Sequence, residues 1–210
     1  MSRIVFLASG RGSNFEALAR AIHDGTICAQ AVALISDNPS TPALQIASKF
    51  GVPTRVLDKK SFRGPTGKWD RAAYERALEE TIAGFQPDWI CLAGYMLLLG
   101  GGIVRRWSGR ILNIHPSLLP AFPGLHAQKQ ALEAGERTTG CTVHLVTEGL
   151  DEGPVLSQAS VEILPGDTET SLSERLLKVE HATYVAVVRR LCADGFDLQG
   201  ERVVWRQPKR

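Results

Sequence analysis

The chain has 210 residues, 44% hydrophobic and 22% charged, a balance that excludes a disordered chain and at this length predicts a single domain with a sizeable core. Its 24 basic residues against 22 acidic ones give a formal charge of +2, without the basic excess of a nucleic-acid binder; the one dense basic run, residues 206–210, reads as a solvated tail. No apolar run reaches the roughly 18 residues of a membrane span, and the short run at 4–8 is ended by Ser9, Gly10 and Arg11 before it could form a signal-peptide core. The four cysteines, Cys28, Cys91, Cys141 and Cys192, are scattered and read as free thiols of a reducing, cytoplasmic compartment.

Strand and helix patterns alternate through the first half. Residues 3–9 are nearly all apolar, as in a strand buried on both faces. A helix comes next, with Phe15, Leu18, Ala19 and Ile22 on one face and Ser13 and Glu16 spaced as a capping box. Strands are predicted at 29–36, 54–57 and 89–93. Helices are predicted at 42–50, after a proline near its start, and at 70–83. Residues 61–68 are the most loop-like stretch.

Beyond residue 100 the rhythm changes. A strand at 111–115 is stopped by Pro116, and an irregular, proline-rich loop occupies 117–124. A helix is predicted at 127–134, strands at 140–146 and 154–161, and a long helix at 170–193 with Ser171 and Glu174 as its capping box. Early strand–helix–strand units followed by successive strands imply an α/β fold: a mostly parallel twisted sheet with helices on both faces, Rossmann-like in its first half, with an antiparallel C-terminal portion. Residues 1–210 form one domain in this reading, with halves at 1–100 and 101–210.

Three places carry chemistry. The turn Ser9-Gly10-Arg11-Gly12-Ser13-Asn14 lies where a strand enters a helix, and the free N–H groups of Gly12, Ser13 and Asn14 suit an anion such as a phosphate. It lacks the Gly-Lys-Ser/Thr of a P-loop, and Phe15 stands where a dinucleotide fingerprint needs its third glycine. Asp37, after the second strand, reads as part of an Asp-Asn-Pro turn. Asn113 and His115 are two apart on a strand and point to one face, at the strand end where open α/β sheets hold ligands. An amide beside an imidazole can stabilise an oxyanion and move a proton. Asp151 lies in a turn-rich segment, and a carboxylate brought near an imidazole favours the protonated ring; spacing alone does not bring it to His115. Cys141 and His144 have ligand-like spacing, but three residues apart on a strand they face opposite sides, so no metal site is expected.

Read in order, the motifs Ser-Gly-x-Gly-Ser-Asn at 9–14, Leu-Ala-Gly-Tyr-Met at 92–96, Asn-Ile-His-Pro-Ser-Leu-Leu-Pro-x-Phe-Pro-Gly-Leu-His-Ala at 113–127, Gly-Cys-Thr-Val-His at 140–144, Leu-Asp-x-Gly-Pro at 150–154 and Glu-His at 180–181 closely resemble the phosphoribosylglycinamide formyltransferases, a folate-dependent formyltransferase family. The resemblance covers nearly the whole chain. It implies attack of the amine of glycinamide ribonucleotide on the formyl carbon of 10-formyltetrahydrofolate, a step of purine biosynthesis that needs no metal. By position it implies Asn113, His115 and Asp151 as the catalytic set, with Gly12, Ser13, Asn14 and Glu180 binding the nucleotide substrate. Arg71, Met96, Leu97, Leu98, Leu99 and Asn113 would contact the folate, and Thr147, Glu148, Gly149 and Leu150 would close over its pteridine. The partners implied are these two small molecules, with no nucleic acid and no membrane, in a cytoplasmic monomer or homodimer.

The chain departs from relatives at Arg11, at Leu97 where some carry arginine, and at Leu177 where some carry a polar side chain. Four other readings compete, one of them a catalytically silent folate- or nucleotide-binding protein. A formyltetrahydrofolate hydrolase would use similar residues with water as acceptor. A methionyl-tRNA formyltransferase would carry a further RNA-binding domain. A nicotinamide-dependent dehydrogenase would need the third glycine.

Overall fold

The computed structural model describes residues 1–207. It divides into two compact units, Met1–Ile111 and Leu112–Arg210. The division expected near residue 100 falls later because a short helix that the sequence patterns did not reveal, Gly101–Arg106, belongs to the first unit, as does Arg110, whose carbonyl accepts the N–H of Ile90.

The first unit runs β1 (Ser2–Leu7), α1 (Ser13–His23), β2 (Ala29–Ser36), α2 (Pro42–Lys49), β3 (Thr54–Val56), α3 (Arg71–Gly84), β4 (Trp89–Leu92) and α4 (Gly101–Arg106). β1 pairs in parallel with β2 and β4, and β2 with β3. Ile4 to Leu7 and Ala33 to Ile35 are fully buried, which is why these strands read as unbroken apolar runs. Phe15 of α1 meets Phe6 of β1 edge-on, with ring centroids 5.1 Å apart. The loop-like stretch around 61–68 is more ordered than its composition suggests. A 3-10 turn, Lys59–Ser61, leads into an antiparallel bridge between Arg63 and Trp69.

The second unit contains β5 (Ile111–His115), α5 (Ala127–Glu133), β6 (Thr138–Leu145), β7 (Val155–Glu162), α6 (Glu169–Ala193), β8 (Phe196–Gln199) and β9 (Arg202–Trp205). β5 pairs antiparallel with β6, and β6 with β7, as the strand succession implied. α6 packs on β6 and β7. Among the described residues the strands of the first unit run in the order β3-β2-β1-β4 and those of the second in the order β5-β6-β7, while β8-β9 form a separate hairpin.

Both expected capping boxes are corrected. Ser13 is the first helical residue of α1, and its N-cap is Gly12, left-handed at φ 78° with no side-chain cap. Glu16 instead pairs with Arg20 one turn on. The box on α6 is formed by Thr168 and Ser171, three residues ahead of the expected pair. The Asp167 carboxyl, just before it, is held well below the usual carboxylate range by its hydrogen bonds to the Arg175 guanidinium.

The β8-β9 hairpin was not legible in the sequence. Its strands are four residues each, tied by an edge-on contact of Phe196 with Trp205. Arg206, expected in the solvated tail, is ion-paired with Asp197 at 2.6 Å; residues 208–210 of that tail lie outside the described residues. Among the described residues no helix is long and apolar enough to cross a membrane.

Candidate active site

The second unit assembles a polar cluster on one face of its sheet. β5 presents Asn113 and His115 on the same side. Antiparallel pairing sets His144 opposite Asn113 and Thr142 opposite His115, and directly opposed residues share a face. Four polar side chains therefore meet on one face of this strand pair. Asp151 completes the cluster from the turn between β6 and β7, in a left-handed conformation at φ 54°. The turn is drawn tight against β6 at Gly153, where a Cβ would run into the Leu145 carbonyl oxygen.

The geometry distinguishes the two histidines. His115 is buried; its Nδ1 lies 3.3 Å from Asp151 Oδ2, and its Nε2 lies 2.9 Å from the Phe122 carbonyl oxygen. The Phe122 carbonyl accepts, and so does the Asp151 carboxylate when ionised, so both ring nitrogens face acceptors. His144 is the reverse case. Its Nδ1 is 3.0 Å from the Leu145 carbonyl and so donates, which leaves Nε2 to accept from Asn113 Nδ2 at 3.2 Å. Burial is the main cause that lowers the pKa of His144, opposed by its Leu145 hydrogen bond and by the charge of Asp151. Asp151 Oδ1 also lies 3.6 Å from His144 Nε2, so the carboxylate sits by both rings.

These contacts refine the expected chemistry. The imidazole of His115 is expected to serve an oxyanion, and its Nε2 is engaged by the Phe122 carbonyl, as a buried N–H must be satisfied. Asn113 spends one amide hydrogen on His144 and keeps a second to donate. Gly124 N donates to Asp151 Oδ2 at 2.9 Å. Residues 117–124, expected only to be an irregular loop, thus hold both His115 and Asp151. Sequence reasoning missed Phe122 and Gly124 because they act through the backbone. It missed His144 because a strand partner is invisible without the pairing, although Thr142 and His144 do alternate as polar positions in an apolar run.

Glu180, the expected nucleotide-binding glutamate, is buried on α6, and burial, with the Glu180 charge as a smaller cause, raises the Cys141 thiol. The Cys141 thiol bonds Thr183 while His144 meets Asn113, so the two do not converge on one point. Thr147, Glu148 and Leu150 are exposed and Gly149 half-buried in the turn that carries Asp151.

The first unit holds the remaining expected residues. Gly12 closes against α2: a Cβ there would lie 2.6 Å from Ala43 Cβ. With no side chain capping α1, the backbone at Gly12, Ser13 and Asn14 forms an uncapped helix start, favourable for an anion. The turn after β2 is built by Ser36 and Asn38, and Asn38 and Thr41 donate to the Ser9 and Gly10 carbonyls. Asp37 lies in that turn, as expected, and is buried. Ser9 also accepts from Met96 N at 2.9 Å, tying residues 94–96 to the same loop. Met96 and Leu98 are each 63% exposed, large apolar side chains left open to a ligand; Leu97 and Leu99 are half-buried. Arg71, on the first turn of α3, donates to Glu75 at 2.6 Å and to the Leu98 carbonyl at 3.1 Å. Tyr74, pushed up to about 12 chiefly by burial, shares a 2.5 Å hydrogen bond with Tyr95. α3 therefore braces the segment expected to line the folate.

Residues 2–188 match the family described as formyl transferase. The chain belongs to the formyl transferase family. Within it, this chain is 38% identical over 202 residues to the phosphoribosylglycinamide formyltransferase of Bacillus subtilis, covering 96% of this chain and all of that one. It is 48% identical over 181 residues to the trifunctional purine biosynthetic protein adenosine-3 of Drosophila melanogaster. That match covers 85% of this chain but only 13% of the fly protein, so the chain spans a small part of this much longer relative. The crystal structure of glycinamide ribonucleotide transformylase 1 from Symbiobacterium toebii superposes with a TM-score of 0.91 at 42% identity, over 99% of this chain and 95% of that one.

Proposed function

We propose that the chain transfers the formyl group of 10-formyltetrahydrofolate to the amine of glycinamide ribonucleotide. The observation that carries this reading is the meeting of Asn113, His115 and Asp151 in one polar cluster of a chain that belongs to the formyl transferase family.

The amine nitrogen attacks the formyl carbon and gives a tetrahedral intermediate with an oxyanion. Asn113 donates its remaining amide hydrogen to that oxygen, a preorganised contact of the oxyanion-hole type. His115 adds a charged donor when the oxyanion takes the place of the Phe122 carbonyl at Nε2. Asp151 holds His115 from the other side, and helps the amine proton reach the departing folate nitrogen as the old carbon–nitrogen bond breaks. Gly12, Ser13 and Asn14 bind the nucleotide phosphate through backbone N–H groups, and Glu180 binds the nucleotide substrate. Arg71, Met96 to Leu99 and residues 147–150 contact the folate. Both partners are small molecules; neither nucleic acid nor a membrane takes part, and the chain works in the cytoplasm as a monomer or homodimer.

Purified protein with 10-formyltetrahydrofolate, followed by the folate absorbance change with and without glycinamide ribonucleotide, tests the proposal. Turnover that depends on the nucleotide is expected. Turnover without it would assign a hydrolase, and none in either case would assign a binding protein.

A further inference from the structure

Thr142 and Gln158 face each other across β6 and β7, and neither is among the residues assigned above to substrate or chemistry. Thr142 is completely buried. Its hydroxyl donates to the Ser117 carbonyl at 2.7 Å and accepts from Leu119 N at 3.0 Å and from Gln158 Nε2 at 2.9 Å. One donor and two acceptor sites are all that a hydroxyl has, so none is spare. Gln158 spends its second amide hydrogen on the Leu119 carbonyl at 2.8 Å. Together the two side chains grip the backbone at Ser117 and Leu119 from both its donor and acceptor sides.

The chain beyond that grip holds the catalytic pair. Ala121 N returns to the Leu118 carbonyl, and Ser117 Oγ donates to the Ala121 carbonyl. The next carbonyl, Phe122, receives His115 Nε2, and Gly124 N donates to Asp151 Oδ2. Residues 117–124 are therefore indexed at one end by Thr142 and Gln158, and deliver the contacts to His115 and Asp151 at the other. We propose that Thr142 and Gln158 are positioning residues for formyl transfer: they act through this segment on His115 and Asp151 and touch neither substrate. The proposal rests on the assignment of His115 and Asp151 as catalytic.

Misplacing a catalytic group by about 1 Å can cost on the order of 10²-fold in rate, and a loosened segment should cost part of that. Thr142→Val keeps the shape and deletes the hydroxyl; Thr142→Ser keeps the hydroxyl. Gln158→Leu removes both amide donors at an exposed position and so leaves the fold intact even if the Thr142→Val protein proves unstable. Kinetics per folded molecule, with both KM values, are the readout. The expected result is a kcat reduced roughly tenfold in Thr142→Val and Gln158→Leu, KM for both substrates within about twofold, and recovery of kcat in Thr142→Ser. An unchanged kcat in Gln158→Leu, or a loss carried by KM alone, would overturn the proposal. Asp151→Asn measured alongside separates the two levels. If Asp151→Asn turns over normally, the catalytic assignment itself fails. If it loses turnover while the Thr142 and Gln158 variants keep theirs, only the positioning role fails.

Discussion

The two units build their candidate sites from different material. In the first, the loop proposed to hold a phosphate is a matter of backbone: Gly12 is left-handed, fits against Ala43 only without a Cβ, and leaves α1 without a side-chain cap. In the second, the cluster is a matter of side chains, with Asn113, His115 and His144 placed by strand register and Asp151 by a strained turn. A backbone site tolerates changes in side-chain identity but not an added Cβ. A side-chain site tolerates little change in either the groups or the register that brings them together.

That contrast can be broken or sharpened by substitution. Asn113→Ala removes the proposed oxyanion donor and should lower turnover about 10²–10³-fold with modest change in KM; steady-state kinetics measure it, and a loss confined to KM would make Asn113 a binding residue only. Gly12→Val should abolish or severely weaken binding of the nucleotide while sparing the folate, because its Cβ meets Ala43 and its φ is unfavourable for valine. Calorimetry with each ligand reads this, and equal loss of both would reduce the loop to a structural turn.

His144 offers a test through stability. Its pKa is lowered in the fold, chiefly by burial, from a reference of 6.5. The unfolded chain therefore takes up this proton first as pH falls. The contribution is complete above about pH 6.5 and drains away as pH drops through the lower folded value. Thermal melts should show a decline below that pH that His144→Gln reduces; identical pH profiles would show that the ring titrates freely. The smallest effect belongs to Arg71, which is half exposed. Such contacts contribute roughly 0.2–1 kcal/mol, so Arg71→Ala should raise the folate KM slightly and leave kcat near wild type. A large fall in kcat would instead show that bracing Leu98 is its main work.

The sequence was most informative where a single strand or helix sufficed. β2 and β5 have their expected ends because turn residues and Pro116 stop them, and Asn113 and His115 share a face by alternation alone. It failed where a contact depends on another element. Ser13 and Glu16 have capping-box spacing, but the left-handed Gly12 moves the helix start and takes the cap position. His144 needs the β5–β6 pairing to meet Asn113. Phe122 and Gly124 contribute only a carbonyl and an N–H, which leave no mark on residue type. The β8-β9 hairpin rests on Phe196, Trp205 and Arg190 meeting across the chain, with Arg190 4.6 Å from the Trp205 ring centre.

Whether His115 and Asp151 work as one unit is read from a kinetic double-mutant cycle. His115→Ala, Asp151→Asn and the double variant are compared in nucleotide-dependent formyl transfer, with folding checked by thermal melts. His115→Ala alone should cost about 10²–10⁴-fold in turnover. Because Asp151 acts partly through the ring it contacts at 3.3 Å, the double variant should cost far less than the product of the two single losses. Strictly multiplicative losses, or either single variant turning over near the wild-type rate, would contradict the account.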